Sequence, residues 1–247
     1  MKLDKLSIGV IGLGYVGLPI AIEFGKKVNT IGIDNNLKRI NSLKKFIDKN
    51  REVDTNQIKS SKKLKLTNNI NNLKNCNVFI VTVPTPLKNK IKPDLSLIIT
   101  ATKSIAKILK PNDVVIYEST VYPGTTEEVC VPILKKISKL SYLNDTTKTK
   151  NGFYCGYSPE RINPGDKKNS LKNIPKVVSG STKKITNTIK KIYKLIINKK
   201  IYIAPSIKIA EGAKIIENTQ RDLNIALANE FLMIFDKLKI DYNEVYK

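Results

Sequence analysis

The chain has 247 residues, 41% of them hydrophobic and 26% charged, proportions typical of a folded globular protein rather than a disordered one. Its net charge of +23 is nearly all dispersed lysine without an aromatic-interleaved stripe, so we expect no specific nucleic-acid partner. The absence of histidine excludes Ser-His-Asp triads and histidine metal sites, and three cysteines without CxxC spacing argue against a zinc cage, so we expect no metal.

Short β-rich runs alternate with helix-length amphipathic stretches over the first 205 residues. The predicted strands are Ser7 to Ile11, Thr30 to Asp34, Val78 to Val83, Val114 to Tyr117, Phe153 to Tyr157, Lys176 to Ser179 and Ile201 to Ala204. The predicted helices are Val16 to Lys27, Leu37 to Asn50, Leu95 to Leu109, Thr125 to Lys139 and Lys183 to Ile197. The polar segment Ser141 to Gly152 is predicted to be a surface loop. This alternation predicts an α/β fold with a Rossmann-type, doubly wound and mostly parallel sheet.

The last forty-odd residues carry one long helical pattern that begins after a candidate N-cap, Ser206. Apolar residues recur at helical spacing at Ile209, Ala213, Ile216, Leu223, Leu227, Phe231, Ile234 and Leu238. Such a stripe needs a partner, so we expect a connecting helix that lies under a second domain or across a homodimer interface. We therefore divide the chain into a domain at 1–205 and a long helix at 206–247, and expect no partner domain after Lys247.

No apolar run approaches the length of a membrane span, and the N-terminal residues lead into a strand without a signal-peptide pattern. These features predict a cytoplasmic protein without a membrane partner.

The strongest local motif is a GxGxxG turn between the first predicted strand and helix. Its glycines allow a tight turn, the close approach of a pyrophosphate and close packing of helix on strand. The helix N-terminus adds unpaired N–H groups that bind phosphate. The candidate dinucleotide contacts in this turn are Gly12, Gly14, Tyr15, Val16 and Gly17.

An acidic residue ends the second predicted strand, about twenty residues after the turn, where it accepts the ribose hydroxyls of a dinucleotide. This residue is Asp34, and its charge would repel a 2′-phosphate, which favours NAD over NADP. Arg39, one turn into the next helix, is a candidate contact for the phosphates or the adenine edge.

Four further motifs lie at or near predicted strand ends or on the long helix, where ligands of doubly wound sheets bind. They are Val83 to Pro86, Ser119 to Thr125, Ser158 to Gly165, and Ala210 to Glu230. In this order they resemble the UDP-glucose/GDP-mannose dehydrogenase family over the whole chain. The amino-acid sequence from Ile216 to Leu227 resembles that of the branch that oxidises UDP-N-acetylhexosamines.

The resemblance implies oxidation of a sugar C6 alcohol to a carboxylate with two NAD, in the synthesis of surface polysaccharide precursors. Thr85 and Thr120 would contact the dinucleotide near the nicotinamide, and Glu160 would help to activate water. Lys214 would stabilise the oxyanion at C6, assisted by Asn218.

The family also uses a cysteine downstream of the long helix, beyond the end of this sequence. Cys76, Cys130 and Cys155 do not match its context and are predicted to be core residues. The family's UDP-sugar-binding domain is likewise absent, and Pro164 replaces an acidic residue of some UDP-glucose enzymes. We therefore expect a truncated or split dehydrogenase that is inactive alone and pairs with itself or with a separately encoded C-terminal half.

Three alternatives remain open from the sequence. One is a non-catalytic NAD-binding and dimerising remnant, and another is a polyanion binder driven by the positive charge. The third is a Rossmann dehydrogenase of the β-hydroxyacid or 6-phosphogluconate type. Enzymes of that type share the glycine turn and a lysine on a long helix, and lack the Ser-Pro-Glu-Arg loop.

Overall fold

The computed structural model describes residues 5–89, 92–161 and 171–247. Its strands are β1 (Ser7–Ile11), β2 (Asn29–Ile33), β3 (Leu64–Thr67), β4 (Val78–Val81), β5 (Leu87–Lys88), β6 (Lys92–Pro93), β7 (Val114–Tyr117), β8 (Ser141–Tyr142), β9 (Gly152–Tyr157), β10 (Lys176–Gly180) and β11 (Ile201–Ile203). Its helices are α1 (Gly17–Gly25), α2 (Leu37–Lys44), α3 (Thr55–Ser60), α4 (Ser96–Ala106), α5 (Val131–Ser138), α6 (Lys183–Lys194), α7 (Ile207–Lys237) and α8 (Tyr242–Tyr246).

A nine-stranded sheet forms the centre of the fold, in the order β11-β10-β9-β7-β4-β1-β2-β3, with β8 paired to β9. The six strands from β3 to β9 in this order are all parallel. The pairing of β10 with β9 is antiparallel, and β11 is parallel to β10. The arrangement β3-β2-β1-β4-β7-β9 is the strand order of the Rossmann fold. The predicted fold class is therefore confirmed.

Helices cover both faces of the sheet and produce two hydrophobic cores. On one face, α1, α2 and α6 pack through residues such as Leu18, Ile40 and Ile189. On the other face, α4, α5 and the start of α7 pack through residues such as Ile105 and Leu134. Because both faces are covered, β4 and β7 are buried at every position, which is why they appear in the sequence as continuous apolar runs.

Several element boundaries differ from the predictions. Helix α2 ends at Lys44 rather than Asn50, because Phe46 takes a left-handed backbone conformation that an α-helix cannot continue. Helix α3, strand β3 and the β5–β6 hairpin were not predicted. The predicted loop from Ser141 to Gly152 begins with a short strand, β8, beside β9.

The long C-terminal helix α7 starts at the predicted N-cap, where the Ser206 side chain accepts a hydrogen bond from the Ile209 amide. Its first two turns pack on the sheet through the buried Ile207 and Ala210, and the rest of the helix projects away. The predicted apolar stripe is exposed along this projecting part, with Ile216 at 71% and Leu223 at 63%. The division of the chain at residue 205 stays a prediction.

Within the described residues, no helix combines the length and the apolar character required to cross a membrane.

Candidate functional site

The candidate site lies at the carboxyl ends of β1 and β4. These two strands are neighbours, yet the helix after β1 covers one face of the sheet and the helix after β4 covers the other. A crevice forms where the connections diverge in this way. The loops that follow β4, β7 and β9 begin at the same edge, so the predicted motifs are brought to one region.

The glycine turn after β1 disfavours a side chain at two positions, at Gly12 because of its backbone conformation and at Gly17 because of close packing. Gly12 has φ of +94°, which L side chains rarely adopt. A Cβ atom on Gly17 would lie 1.9 Å from the Gly12 carbonyl oxygen and 2.3 Å from the Thr82 hydroxyl. That hydroxyl, from the residue after β4, donates to the Gly12 carbonyl at 2.8 Å and fastens the turn to the neighbouring strand.

Gly14, in contrast, faces open space, since no described atom outside Gly14 and its two neighbours in the chain lies within 4 Å of a Cβ atom built there. Helix α1 begins just after it, at an N-cap formed by Val16 without a side-chain hydrogen bond, while Ser206 caps α7 with its side chain. No side chain therefore competes with a ligand at the start of α1, where the Leu18 amide donates to the Gly14 carbonyl at 3.1 Å and Pro19 has no amide hydrogen. An open glycine and a helix start without a side-chain cap leave room for a diphosphate beside Gly14 and the half-exposed Tyr15, and the ligand contacts of this turn stay predictions.

Asp34 faces the glycine turn. Its Oδ2 accepts a hydrogen bond from the Leu13 amide at 2.9 Å, and its Oδ1 accepts one from the Asn36 amide at 2.8 Å. Arg39 lies on the same side, where its Nε donates to the Leu13 carbonyl at 3.0 Å and its Nη1 pairs with Asp48. Both predicted residues thus contact the turn itself, and their contact with a ligand stays a prediction.

Thr85 and Thr120 are in contact, although 35 residues separate them. The Thr85 hydroxyl donates to the Thr120 carbonyl at 2.5 Å. A second bridge runs beside it, from the Ser119 hydroxyl to the Val83 carbonyl at 2.6 Å. These two bonds join the loops after β4 and β7, which gives the two predicted nicotinamide contacts a common support.

Lys214 and Glu160 are brought together from α7 and from the loop after β9. The Lys214 ammonium group donates to the Glu160 backbone carbonyl, and both side chains are buried. Burial lowers the pKa of Lys214, and the negative charges of Glu217 and Glu160 oppose this effect. A buried ammonium beside a buried carboxylate is an arrangement that can stabilise an oxyanion and orient water.

Asn218 lies one turn after Lys214 and is exposed, and its Oδ1 accepts a hydrogen bond from Arg221 at 2.9 Å. The backbone places it on the predicted face of α7. Arg161, from the Ser-Pro-Glu-Arg loop, pairs with Glu217 of the same helix at 3.1 Å. The remainder of that predicted motif, Ile162 to Gly165 with Pro164, lies outside the described residues.

A buried charge cluster behind Glu160 was not predicted. The Lys176 ammonium group pairs with Glu118 and lies 3.8 Å from Glu160 Oε2, and the Tyr193 hydroxyl donates to Glu118. Burial raises the pKa of Glu118 to about 7, against the attraction of Lys176 and aided by the negative charge of Glu160. Lys176 faces two carboxylates, which raise its pKa in spite of burial.

Glu211 is a second buried carboxylate that sequence reasoning missed. Its oxygens accept hydrogen bonds from the amides of Gly124 and Thr126, at 2.6 and 2.9 Å. Burial raises its pKa, and these bonds oppose the effect. Glu211 therefore caps the helical segment that begins at Thr125 and ties it to α7, one turn before Lys214. Its spacing of three residues from Lys214 is the signal that could have identified it.

Among the residues that the structure describes, no group of three or more His, Cys, Asp or Glu side chains could hold a metal ion. The three cysteines are free and buried. Burial raises the pKa of Cys130 to about 11 and also raises those of Cys76 and Cys155. They are core residues, as predicted.

Comparison with known proteins identifies two family regions in this chain. Residues 6–197 match the NAD binding domain of the UDP-glucose/GDP-mannose dehydrogenase family, and residues 208–247 match its central domain. The first match confirms the expected cofactor, NAD. UDP-N-acetyl-D-glucosamine 6-dehydrogenases of Salmonella typhi and Pseudomonas aeruginosa are 50% and 52% identical to the chain over 245 residues.

Those two alignments cover 99% of this chain and 56% of each relative, so the chain spans just over half the length of these proteins. Among solved structures, UDP-D-ManNAc dehydrogenase from Pyrococcus horikoshii superposes with a TM-score of 0.85 at 32% identity. That superposition covers 97% of this chain and 56% of the solved one. The family match sets aside the β-hydroxyacid and 6-phosphogluconate alternative.

Proposed function

Because this chain belongs to the UDP-glucose/GDP-mannose dehydrogenase family, we propose that it is the cofactor-binding half of an NAD-dependent nucleotide-sugar 6-dehydrogenase. The observation that carries this proposal is the hydrogen bond from Lys214 on α7 to the carbonyl of Glu160 in the loop after β9. The two residues are 54 positions apart in the chain. As part of the same proposal, the substrate is a UDP-N-acetylhexosamine, on the similarity to the UDP-N-acetyl-D-glucosamine 6-dehydrogenases.

Lys214 is the proposed catalytic cation. Oxidation of the C6 alcohol requires loss of a proton and a hydride, and bound NAD supplies the hydride acceptor. Negative charge then develops on the C6 oxygen, and the buried Lys214 ammonium stabilises it strongly because little water screens the interaction. Its fixed bond to the Glu160 carbonyl aims it before substrate binds, and Asn218, one turn away, offers an amide to the same oxygen.

Glu160 is the proposed residue that positions water for the hydrolytic step. Its carboxylate is buried, and its Oε1 accepts a hydrogen bond from the Arg161 amide at 2.6 Å, which fixes the orientation of the group. A carboxylate held in this way can orient a water molecule and take its proton. Thr85 and Thr120 support the nicotinamide end of the dinucleotide, and Asp34 accepts the ribose hydroxyls at the other end.

The covalent step of the family requires a cysteine thiolate, which the three cysteines of this chain do not provide. All three are buried and their raised pKa values keep them as thiols, whereas the nucleophile must be a thiolate. We therefore assign the thiol to a polypeptide stretch outside these 247 residues. Without it, the chain acts as a non-catalytic NAD-binding module, which is the second candidate function.

The partner surface in this proposal is the exposed apolar stripe of α7. Its exposed residues include Ile216, Leu223, Leu227, Phe231 and Leu238. Burying such a stripe against a second copy, or against a separately encoded C-terminal half, would remove large apolar area from water. The free cysteines agree with a reducing compartment, so we propose a cytoplasmic location.

The test combines calorimetry with a turnover assay. The chain should bind NAD in moderate salt, and should reduce NAD with UDP-N-acetylglucosamine only when a polypeptide corresponding to the C-terminal half of a relative is added. Turnover by the chain alone would contradict the assignment of the thiol. Failure to bind NAD, together with salt-sensitive binding to nucleic acid, would replace this proposal with a polyanion binder.

A further inference from the structure

Both backbone groups of Leu13, in the middle of the glycine turn, are held by charged side chains of the next strand and helix. The Leu13 amide donates to Asp34 Oδ2 at 2.9 Å, and the Leu13 carbonyl accepts from Arg39 Nε at 3.0 Å. Leu13 itself has a fully buried side chain. The orientation of the turn is therefore set by residues outside the GxGxxG motif.

Arg39 in turn depends on Asp48, a residue in the loop after α2 whose side chain is fully buried. Asp48 Oδ1 pairs with Arg39 Nη1, and the two side chains are 0% and 10% exposed. The Asp48 carboxylate is fixed by three backbone amides, those of Asn50 at 3.0 Å, Glu52 at 2.9 Å and Val53 at 3.2 Å. Because these neighbouring amides fix the Asp48 carboxylate, the pairing also fixes the orientation of the Arg39 guanidinium group, which is planar and rigid.

The bond from Arg39 to the Leu13 carbonyl also fixes the amide of the next residue. The carbonyl of Leu13 and the N–H of Gly14 belong to one planar peptide unit and point in opposite directions. Holding the carbonyl toward α2 therefore turns the Gly14 N–H away from α2. Gly14 is also the position of the turn that faces open space, where a diphosphate can approach.

We propose that Asp48 is a positioning residue for cofactor binding: through Arg39 and the Leu13 carbonyl, it orients the Gly14 amide toward the diphosphate of the dinucleotide. This inference rests on the proposed function, since it takes the glycine turn as the site of NAD. It assigns Arg39 an indirect role in affinity, through the turn, in addition to the ligand contact expected from its position.

The experiment measures NAD and ADP binding by calorimetry for the unaltered chain, Asp48→Asn, Arg39→Lys and the double variant. Asp48→Asn keeps the size of the side chain and loses its charge, and Arg39→Lys keeps the charge and loses the fork. Each single variant should bind NAD and ADP about tenfold more weakly than the unaltered chain, because both ligands carry the diphosphate. The double variant should bind both ligands no more weakly than the single variant with the lower affinity. Both changes interrupt the same series of contacts, from Asp48 through Arg39 to Leu13.

Glu244→Gln is the matched control, because it removes the same charge from an exposed pair with Lys247 near the C-terminus. It should leave both affinities unchanged. Asp48→Asn binding within twofold of the unaltered chain, or losses that multiply to about a hundredfold in the double variant, would overturn the inference.

Thermal melting reports whether each variant folds. If Asp48→Asn does not fold, Arg39→Lys alone decides, and unchanged NAD affinity in that variant would overturn the inference. Absence of NAD binding by the unaltered chain would instead overturn the proposed function together with this inference, so the two failures are distinguishable.

Discussion

Lys176 and Glu118 form an ion pair in the interior of the protein, with side chains 4% and 0% exposed. Replacing Lys176 by Met would leave the Glu118 carboxylate without its counter-charge. We expect a loss of about 3 kcal/mol in the free energy of unfolding at pH 8, measured by urea denaturation. Lys208→Met, which breaks the exposed pair with Glu128, is the control and should lower the free energy of unfolding far less, because water screens that pair. Equal decreases in the free energy of unfolding in the two variants would contradict the expectation that a buried ion pair is costlier to break than an exposed one.

The raised pKa of Glu118 predicts a pH dependence of stability. Burial, the largest cause, raises this pKa from 4.5 to about 7, so the folded chain binds the proton more tightly than the unfolded chain. The free energy of unfolding should therefore fall as pH rises from about 4.5 through about 7, by up to about 3 kcal/mol from this group. Urea midpoints across this range measure the slope, and Glu118→Gln should make it shallower. An identical slope in Glu118→Gln would assign the effect to other groups.

Gly14, in the turn before α1, and Gly17, the first residue of α1, should respond differently to replacement by alanine. Gly17→Ala should lower the free energy of unfolding by about 2 kcal/mol, because its Cβ would collide with the Gly12 carbonyl. Gly14→Ala has space for its Cβ, so its stability should change by less than about 0.5 kcal/mol. Its methyl group would nevertheless occupy the space of the diphosphate and weaken NAD binding. Denaturation and calorimetry on both variants separate the two effects, and strong NAD binding by Gly14→Ala would contradict the placement of the ligand.

The three cysteines should resist thiol reagents in the folded protein. Cys76, Cys130 and Cys155 are buried at 0% exposure, and burial raises their pKa values, so little thiolate is available. A colourimetric thiol reagent should modify none of them within minutes in buffer and all three in 6 M guanidinium, which serves as the positive control. Rapid modification of a single cysteine in buffer would identify an accessible nucleophile in this chain.

The projecting part of α7 should mediate self-association. Leu223 and Leu227 lie on its exposed apolar stripe, at 63% and 54% exposure. Introducing aspartate at both positions would place charges in the interface and shift the chain toward a monomer, as measured by sedimentation velocity. Asn224→Asp adds the same kind of charge on the exposed surface of that helix without removing an apolar side chain, and should shift the equilibrium less. If the unaltered chain stays monomeric at high micromolar concentration, the proposed homodimer is contradicted. The separately encoded C-terminal half then remains as the proposed partner of α7.

The parts of the fold that the sequence predicts well are those where burial or local chemistry leaves a pattern. Strands β1 and β7 match their predictions residue for residue, because they are short apolar runs. Strand β3 at the sheet edge is only half-buried and contains a lysine, so its pattern is weak. Helix α3 buries one residue, and its capping box between Asp54 and Gln57 is the local signal that could have identified it.

The site shows the same division between local and distant information. The glycine turn and Asp34 belong to one motif with a known spacing, so the sequence predicts that they face each other. Lys176 and Glu118 are separated by 58 residues, and nothing in their local sequences indicates that they pair. Lys176 differs from the other lysines only by starting a strand of otherwise small or apolar residues, and that signal is easily lost in a lysine-rich chain.

The contact of Glu211 with the amides of Gly124 and Thr126 has a mechanical consequence. It connects the root of the projecting helix to the loop that carries Thr120, with two hydrogen bonds that no water can replace without opening the core. We therefore expect that a polypeptide bound to the far end of α7 would also shift the loop after β7, because Glu211 joins the two. Binding of a partner to α7 would then also change the part of the proposed site that Thr120 occupies.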